Sequence, residues 1–569
     1  MSKKLKGQSD AMKPSPLSRF WRLLNPDKSE IRNVYVYAVF NGLLYLTLPL
    51  GVQAIINLIQ GGSVNAAWLI MVSLVVGGIA VGGVIQIFQI KITEDLQQKI
   101  FVRAAFEFAY RTPRIKMEAF FKHYVPELMN RFFDVVSVQK GLSKLIIDFS
   151  SATLQVIFGL ILLSLYHPFF ILFSVVLCVI LYAIFRLTLK KGLITSLEES
   201  KYKYEIAHWL QEVGRTHLTF KLSGQYELPM TRTNSLVGKY LHARQSHFRI
   251  LVKQYTWMVA FKVIVAAGLL AIGGVLVMRE QMNLGQFVAA EIIILLLMQA
   301  VEKLITSFDT VYDVLTALEK IGYVTDMEIE DEAEADHDEE ERLPTNRGVA
   351  LEFEQVKFTY PENDLPTLYD ITFAVQAGDR WLLTGKNGSG KNTLLKLASG
   401  LYDLDQGGIF FDGKPKTDLN IAKMRARIGN CLHVEQIFRA TMYENIGMGG
   451  AFASLDSMLA ITHLVGLDEF IRSLEKGIHT EIDPQGKRLP TSVVIKIMLA
   501  RCFIQNPDIL LLEDVFIHLD DDCARKIIDY LFSDEKHWTI LATSTHPYFN
   551  SKVHKVANLD AGRLTVVRQ

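Results

Sequence analysis

The sequence predicts two joined parts of different fold class: an all-α membrane part with six spanning helices, and a water-soluble α/β part that carries a glycine-rich phosphate loop. Two observations predict the membrane part. Half of the 569 residues are hydrophobic, with a mean hydropathy of +0.21, and the apolar residues collect in stretches long enough to cross a bilayer. A third observation marks the soluble part: from residue 349 apolar and polar residues alternate, as they do in a pair of strands.

The membrane part is predicted from six apolar stretches, at about 33–59, 66–90, 142–166, 168–189, 252–278 and 284–306. The connections between them alternate in length: three are short turns, while 91–141 and 190–251 are long and rich in Lys and Arg. Basic residues favour the cytoplasmic side. The basic first 32 residues therefore place the amino terminus in the cytoplasm, and both long connections fall on the same side. Helical periodicity continues into these connections, which predicts spans that extend beyond the lipid.

Three charged residues interrupt the apolar helices: Asp148, Lys262 and Glu291. A charge at that depth is costly and usually faces a partner or a water-filled cavity. One interpretation is a polar path through the membrane, with Lys262 and Glu291 on consecutive helices as an ion pair. The other interpretation is that these residues only hold the helices together.

Residues 326–341 carry eleven acidic residues and no basic one, so like-charge repulsion predicts a solvated connector. We therefore divide the chain into a cytoplasmic amino-terminal segment 1–32, a six-span domain 33–325, an acidic linker 326–346 and a soluble domain 347–569. The chain has 60 basic and 60 acidic residues, which argues against a nucleic-acid partner bound through phosphate contacts. Its four cysteines show no paired spacing, so we expect neither a disulfide framework nor a CxxC metal site.

Residues 381–400 read as a strand, a glycine-rich loop and a helix. Glycines in such a loop let backbone N–H groups close around phosphate oxygens, since a Cβ would obstruct the approach. The lysine that follows reaches the β- and γ-phosphates, and the helix directs its positive end at them. The residues of this segment that we expect to bind the nucleotide are Gly385, Asn387, Gly388, Ser389, Gly390, Lys391, Asn392 and Thr393.

One position departs from this P-loop pattern. A Ser or Thr normally follows the lysine because its hydroxyl binds Mg²⁺, but this chain has Asn392. An amide oxygen can ligate Mg²⁺, although the longer side chain would shift the ion. Thr393 is a candidate substitute, but it lies one residue further along, about 100° round the helix. We therefore expect phosphate binding to survive better than placement of the metal.

Taken in order, these motifs resemble the ATP-binding-cassette exporter half-transporters, and the resemblance covers the chain from about residue 30 to its end. The bacterial type I secretion and bacteriocin-export transporters are the most similar in type. In the membrane half, residues 211–227 resemble the family's second cytoplasmic segment, and residues 126–143 resemble a loop with an Arg-Phe-x-Asp-Val core. That core is here Arg131, Phe132, Asp134 and Val135.

In the soluble half, the resemblance assigns Tyr360 to the position that stacks on adenine. Residues 400–414 resemble the stretch after the phosphate-loop helix, and residues 426–446 align with the segment that holds the family's glutamine, which is here His433. His546 matches the histidine that contacts the γ-phosphate, and Asp520 matches an inter-subunit aspartate.

Two further motifs depart from the family pattern. The family's Leu-Ser-Gly-Gly-Gln clamp is replaced by residues 489–493, which read Leu-Pro-Thr-Ser-Val. The family's Mg²⁺-binding aspartate and water-polarising glutamate are exchanged, because this chain has Glu513 followed by Asp514. Each carboxylate is therefore displaced by about 1.5 Å, one methylene, and misplacement on that scale can cost about a hundredfold in rate. The resemblance makes Glu513, Asp514 and His546 the candidate catalytic residues, and Asn392 and Glu513 the candidate metal ligands.

The resemblance implies a six-helix exporter domain plus a cytosolic α/β P-loop ATP-binding-cassette domain, an ATPase by fold, with ATP and Mg²⁺ as ligands. It also implies a multi-pass protein of the bacterial inner membrane with both termini cytoplasmic. The implied partners are a second copy of the chain or another half-transporter, membrane lipid and a periplasmic adaptor protein. The altered motifs leave three hypotheses open: an exporter with weak or no hydrolysis, a silent pseudo-transporter that acts as a scaffold or regulator, and a structural assembly component.

Overall fold

The structure, a computed structural model, describes residues 15–61, 66–121, 123–330, 348–433, 436–449, 454–482, 489–533 and 535–568. The chain divides into two compact units. An α-helical unit contains residues 1–114 and 123–327, and an α/β unit contains residues 115–122 and 328–569. Most of the predicted acidic linker lies outside the described residues, and the predicted domain boundaries stay a prediction.

The α-helical unit confirms the prediction of six spans. Its helical segments that are long and apolar enough to cross a membrane are Pro16–Gln60, Ala66–Arg114, Val125–Tyr166, Pro168–Arg215, Glu227–Met278 and Leu284–Thr325. The protein is therefore a multi-pass membrane protein by the length and composition of these segments.

The first 13 helices of the chain belong to this unit, except α5, which belongs to the α/β unit. They are α1 Pro16–Leu24, α2 Lys28–Tyr45, α3 Thr47–Gln60, α4 Ala66–Arg111, α5 Met117–Phe120, α6 Val125–Met129, α7 Asp134–Lys144, α8 Ser150–Ser164, α9 Pro168–Arg215, α10 His217–Ser223, α11 Glu227–Gly268, α12 Gly274–Met278 and α13 Leu284–Thr325. Single π-helical turns, Leu145–Phe149 and Leu269–Gly273, join α7 to α8 and α11 to α12.

Two of these helices confirm that the spans extend well beyond the apolar stretches. Helix α4 has 46 residues and α9 has 48, which makes each about 70 Å long at 1.5 Å per residue. The hydrocarbon core of a bilayer is only about 30 Å thick. More than half of the length of each helix therefore exceeds the thickness of the hydrocarbon core.

Helix α13 is the central helix of the unit, because it packs against α3, α7, α8, α9 and α11. It begins with a capping box: the side chain of Asn283 accepts from the N–H of Gln286, and the Gln286 side chain accepts from the N–H of Asn283. This cap satisfies two backbone donors at the helix start. The short turn predicted at 279–283 is thereby confirmed as the connection between α12 and α13.

The interpretation that pairs Lys262 with Glu291 is wrong. The ammonium of Lys262 donates instead to Glu302 Oε2, at 2.5 Å. In an antiparallel hairpin, residues at equal distances from the turn lie opposite each other. Lys262 lies 21 residues before Asn283 and Glu302 lies 19 after it, whereas Glu291 lies only 8 after it, so Glu291 is about 20 Å too close to the turn at 1.5 Å per residue.

The Arg-Phe-x-Asp-Val core is buried inside the α-helical unit. The guanidinium of Arg131 lies over the ring of Tyr204 at 3.6 Å, and the Tyr204 hydroxyl donates to the carboxylate of Asp134. Tyr204 belongs to α9, so these contacts fasten the segment before α7 to a long helix. The motif therefore acts within the described residues as a packing element.

The α/β unit contains two larger sheets. A four-stranded antiparallel sheet has the order β2-β1-β4-β5, and a six-stranded sheet has the order β12-β11-β3-β10-β9-β6. In the second sheet, the neighbours are parallel except for β12, which is antiparallel to β11. The strands are β1 Leu351–Phe358, β2 Leu368–Val375, β3 Arg380–Thr384, β4 Gln406–Phe411, β5 Lys414–Pro415, β6 Ile428–Cys431, β7 Ala440–Thr441, β8 Glu481–Ile482, β9 Ile509–Glu513, β10 Thr539–Thr543, β11 Lys555–Asp560 and β12 Arg563–Arg568.

The strands β9 and β10 of the six-stranded sheet are completely buried, as expected for a parallel sheet, and α14, α15 and α19 pack against its strands β6 and β9. The helices of the unit after α5 are α14 Lys391–Ala398, α15 Ile421–Arg425, α16 Met442–Gly447, α17 Leu455–Leu464, α18 Asp468–Ser473, α19 Thr491–Ile504, α20 Asp521–Leu531 and α21 Pro547–Lys552. The strand predicted from residue 349 is confirmed as β1, which pairs with β2.

The segment between α4 and α6 belongs to the α/β unit. Ile115 forms an antiparallel bridge with Ile329, and the carboxylate of Glu118 accepts from the N–H of Asp403 at 2.8 Å. The ring of Phe121 packs on Tyr360 and Tyr402, at centroid distances of 5.8 and 6.0 Å. One side of the unit is therefore completed by a piece of chain that precedes it by 214 residues.

Arg425 holds the beginning of the linker to the same unit. Its guanidinium donates to both oxygens of Glu330, at 2.6 and 2.8 Å, and to the carbonyl of Gly400 at 2.7 Å. Gly400 follows Ser399, the C-cap residue of α14. Arg425 thus joins the linker to the carboxyl end of the helix that follows the phosphate loop.

Candidate nucleotide site

The predicted strand, glycine-rich loop and helix are confirmed as β3, residues 385–390 and α14. Three glycines of the loop have positive φ, at +137° for Gly385, +81° for Gly388 and +105° for Gly390. A Cβ on Gly385 would lie 2.1 Å from the carbonyl oxygen of Leu559. Both backbone conformation and close packing against β11 therefore require glycine at that position.

The polar groups of the loop are arranged to receive an anion. The ammonium of Lys391 folds back onto the carbonyls of Gly385 and Lys386, at 2.8 and 3.0 Å. The hydroxyl of Ser389 is buried and has no hydrogen-bond partner among the described residues, and a buried polar group without a partner costs free energy. Asn387 is exposed at the tip. The loop therefore fits a phosphate, which would supply the acceptor that Ser389 lacks.

Tyr360 lies beside the first turn of α14. Its ring packs edge-on against Phe358 and Tyr402, with centroid distances of 4.9 and 5.5 Å. Burial raises the pKa of its hydroxyl, which lies 3.1 Å from the hydroxyl of Thr393. Thr393 is itself buried. Its hydroxyl is engaged with Tyr360, so the structure gives no support to Thr393 as a metal ligand, and the stacking of Tyr360 on adenine stays a prediction.

The two candidate metal ligands contact each other. The amide nitrogen of Asn392 donates to Glu513 Oε1. The second oxygen, Oε2, accepts from the backbone N–H of His433 at 2.9 Å, and the His433 Nδ1 lies 3.3 Å from Oε1. The NH₂ group of Asn392 faces the carboxylate because it is the hydrogen-bond donor of the amide. An amide nitrogen that carries both hydrogens has no lone pair to offer a metal, so only the amide oxygen could ligate one.

Both side chains carry oxygen atoms of the kind that Mg²⁺ takes as ligands. The ion holds its oxygen ligands at about 2.0–2.1 Å, which places neighbouring ligand atoms about 3 Å apart. Asn392 and Glu513 are in direct hydrogen-bond contact, so they are close enough to ligate one ion if the amide turns its oxygen toward it. The residues that the sequence assigns to the metal are therefore brought together, but as partners of each other.

The exchanged carboxylates lie at the end of β9. Glu513 is the last residue of the strand and is 4% exposed. Asp514 follows with φ +46°, and its backbone N–H donates to the carbonyl and the hydroxyl of Thr543, both at 3.1 Å. Within the described residues, its carboxylate makes no hydrogen bond. Asp514 is thus fixed by its backbone, while its side chain remains available to water.

His546 precedes α21, across the sheet edge from β9. Its Nε2 lies 3.2 Å from the carboxylate of Asp521, and its Nδ1 is buried without a hydrogen bond among the described residues. A hydrogen bond from Arg525, together with the nearby His546, lowers the pKa of Asp521. Asp520, the predicted inter-subunit aspartate, caps α20 by accepting from the N–H of Cys523 at 3.1 Å.

The segment that replaces the clamp starts a helix. Pro490 is the N-cap of α19, and its carbonyl accepts from the N–H of Val493 at 2.9 Å. Proline itself has no N–H to donate. No side chain caps this helix start. The segment therefore lacks the two glycines of the family pattern. It also lacks the backbone N–H that a residue other than proline would have at position 490.

Two contacts of the site were missed from the sequence. The link between His433 and Glu513 could have been found from topology, because His433 follows β6 and Glu513 ends β9, and these strands are parallel neighbours. Carboxyl ends of adjacent parallel strands share one edge of a sheet. The partner of His546, Asp521, carried no such signal, because it depends on how α20 packs beside α21.

Comparisons with known proteins support the division into two parts. A family model described as "ABC transporter transmembrane region" matches residues 32–301, and one described as "ABC transporter" matches residues 368–516. A solved bacterial Atm1-family ABC exporter with ATP bound superimposes with a TM-score of 0.82 at 19% identity, covering 95% of this chain and 94% of its own. The likeness to this structure concerns the fold alone.

Curated relatives match over shorter stretches. An uncharacterized ABC transporter ATP-binding protein of Bacillus subtilis is 30% identical over 45% of this chain. An ATP-dependent lipid A-core flippase of Chromobacterium violaceum is 29% identical over 40%, and the human antigen peptide transporter 2 is 26% identical over 40%. The chain spans only 41%, 37% and 33% of the length of these relatives.

Proposed function

We propose that this chain, which is an ABC exporter half-transporter with a transmembrane and an ATP-binding domain, binds ATP and moves a substrate out of the cytoplasm with weak or no hydrolysis. One observation carries this proposal. The phosphate loop keeps its three positive-φ glycines and Lys391, while the carboxylates beside it are exchanged. Binding and chemistry rest on different residues, so one can persist without the other.

Slow hydrolysis is expected from the positions of the exchanged carboxylates. Phosphoryl transfer is catalysed almost entirely by positioning and charge stabilisation. The side chain at the water-polarising position is Asp514, one methylene shorter than the family's glutamate and about 1.5 Å short of its place. A displacement of that size can cost about a hundredfold in rate. Loss of the clamp glycines at residues 490–493 adds a second defect, since these contact the nucleotide of the opposite subunit in the family.

We further propose that the chain works as a dimer, because six spans form half of the family's pathway. A homodimer is the simplest arrangement, and a heterodimer with another half-transporter is the alternative. By resemblance, the protein would lie in a bacterial inner membrane with both termini in the cytoplasm, as in type I secretion and bacteriocin export, with lipid and a periplasmic adaptor as partners. The relatives are named for an antigen peptide and for lipid A-core, so the substrate class is left open.

The second candidate function is a pseudo-transporter that binds nucleotide and serves as a scaffold or regulator. The contact between Asn392 and Glu513 favours it, because a carboxylate that is already paired with the amide is a poorer ligand for the metal that turnover needs. An ATPase measurement separates the two: vanadate-sensitive phosphate release by the purified protein in lipid supports the exporter, and none supports the scaffold. Release at about 1 per second or faster, within the usual range of enzymes, would overturn the proposal of weak hydrolysis.

The binding part of the proposal is tested by titrating ATP onto the full chain in detergent. Lys391→Ala should weaken binding by at least about tenfold, because hydrogen bonds to charged groups contribute about 1.5–3 kcal/mol. Lys396→Ala is the matched control, since it removes a cation from the last turn of the same helix. If the Lys391→Ala variant bound ATP as tightly as the native protein, the assignment of this loop as the ATP site would be wrong.

A further inference from the structure

A short segment of the chain places a phenylalanine beside the predicted adenine position. Residues 115–122 belong to the α/β unit, although they lie between α4 and α6 in the chain. The ring of Phe121 packs on Tyr360 at a centroid distance of 5.8 Å, with 43° between the ring planes. Tyr360 is the residue that the family resemblance assigns to adenine. The aromatic surface at this position therefore has a second member that the sequence motifs did not include.

Two of the aromatic rings around this position can be reached from the solvent. Phe358 and Tyr402, which also pack on Tyr360, are buried, with 2% and 6% of their surface exposed. Tyr360 is half-buried and Phe121 is 36% exposed. A ligand that stacks on Tyr360 from the solvent side therefore has the ring of Phe121 as its neighbour.

The segment that carries Phe121 is fixed to the rest of the α/β unit. The N–H of Lys116 donates to the carbonyl of Glu328 at 3.0 Å, and the side chain of Met117 packs against the apolar core of the unit. Both contacts lie close to Phe121 in the chain, so they limit how far its ring can move from Tyr360.

Tyr360 is fixed to the helix that follows the phosphate loop. Its hydroxyl lies 3.1 Å from the hydroxyl of Thr393, which is in the same first turn of α14 as Lys391. The base and the phosphates of a nucleotide are joined by a single sugar, so a base whose phosphates contact Lys391 lies close to this turn. The pair of rings is therefore within reach of the base.

We propose that Phe121 and Tyr360 bind the nucleobase together, and that this pair favours purine over pyrimidine nucleotides. The inference rests on the ATP binding proposed above and adds a base-contacting residue to it. Stacking affinity grows with the aromatic surface that a base covers. The two fused rings of a purine cover more of the combined surface of Phe121 and Tyr360 than the single ring of a pyrimidine does.

The experiment titrates ATP, CTP and inorganic tripolyphosphate onto the full chain in detergent. Phe121→Leu keeps a large apolar side chain and removes the ring. It should weaken ATP binding by about threefold to tenfold, weaken CTP binding by a smaller factor, and leave tripolyphosphate binding within about twofold. Phe133→Leu, at a phenylalanine of the α-helical unit that is 69% exposed, is the matched control and should change none of the three affinities.

The outcomes separate this inference from the proposed function. A role of Phe121 in packing alone would weaken all three ligands by the same factor. That result, or an unchanged affinity of Phe121→Leu for ATP, would overturn the inference while leaving the proposed ATP binding intact. Absence of ATP binding by the native protein would instead overturn the proposed function.

Photolabelling of the native protein tests the same contact if the variant does not fold. An azido-adenine analogue of ATP attaches on irradiation to the residues beside its base, and mass spectrometry identifies the labelled peptides. Label within residues 115–122 as well as beside Tyr360, suppressed in both places by excess ATP, is the supporting result. Label beside Tyr360 alone would contradict the assignment of Phe121.

Discussion

Arg425 provides the most specific stability prediction, because its guanidinium makes four hydrogen bonds within the α/β unit. Two go to the carboxylate of Glu330, one to the carbonyl of Gly400 at 2.7 Å and one to the carbonyl of Ser399 at 3.4 Å. The side chains of Arg425 and Glu330 are 25% and 18% exposed. Replacing Arg425 by alanine therefore leaves two carbonyls and a half-buried carboxylate without their donor.

The magnitude follows from these groups. An acceptor left unsatisfied in a buried position costs about 1–3 kcal/mol, and a partly exposed ion pair adds at most about 1 kcal/mol. We expect Arg425→Ala to lower the free energy of unfolding by about 3 kcal/mol. For a domain of about 150–250 residues, that corresponds to a fall of about 6–12 °C in the unfolding temperature.

The assay is differential scanning calorimetry of the full chain in detergent at one fixed scan rate, because unfolding of such proteins is often irreversible. Arg425→Lys should give an intermediate fall, since lysine keeps the charge but not the planar fork. Arg525→Ala, which removes an exposed ion pair with Asp521, is the control and should leave the transition in place. A fall of less than about 2 °C for Arg425→Ala would refute the reasoning.

Three further predictions concern other elements. Gly385→Ala places a Cβ 2.1 Å from a backbone oxygen and should lower the free energy of unfolding by about 3 kcal/mol or more. The control Gly413→Ala, at φ +76° with open space around the new Cβ, should lower it by about 1–2 kcal/mol. Calorimetry of the two variants measures the difference. In the membrane, Glu302→Gln should destabilise by about 1 kcal/mol and Glu291→Gln by less, in unfolding measured in detergent. Hydrogen bonds from the N-cap residue Thr441 lower the pKa of Glu444, so its carboxylate stabilises the fold above the ordinary pKa of about 4.3 and loses this effect as pH falls through the lowered value. The difference in unfolding temperature between the native protein and Glu444→Gln should therefore shrink below pH of about 4, and a constant difference would contradict the capping role.

The six spans and the phosphate loop could be predicted from the sequence because both depend on residues that are close together in the chain. A spanning helix must satisfy its backbone internally and be apolar along its length, which is visible in any window of about 20 residues. The loop likewise follows from a strand, three glycines and a helix start within 381–400.

Contacts between distant residues could not be predicted in this way. The partner of Lys262 depends on the register of two long helices, and counting residues from the turn would have favoured Glu302 over Glu291. The contact of Asn392 with Glu513 joins residues 121 positions apart and depends on the lengths of both side chains. The sequence showed that each was unusual, but only the spatial arrangement shows that the two side chains contact each other.

The bridge between Ile115 and Ile329 has a practical consequence for work on the α/β unit alone. A fragment that starts at residue 328 would lack Phe121, and the rings of Tyr360 and Tyr402 against which it packs would face water beside the proposed adenine position. Such a fragment would be prone to self-association and would underestimate nucleotide affinity. Grafting the peptide from Ile115 to Phe121 ahead of Glu328, through a glycine tether, would restore the native covering and yield a faithful soluble surrogate.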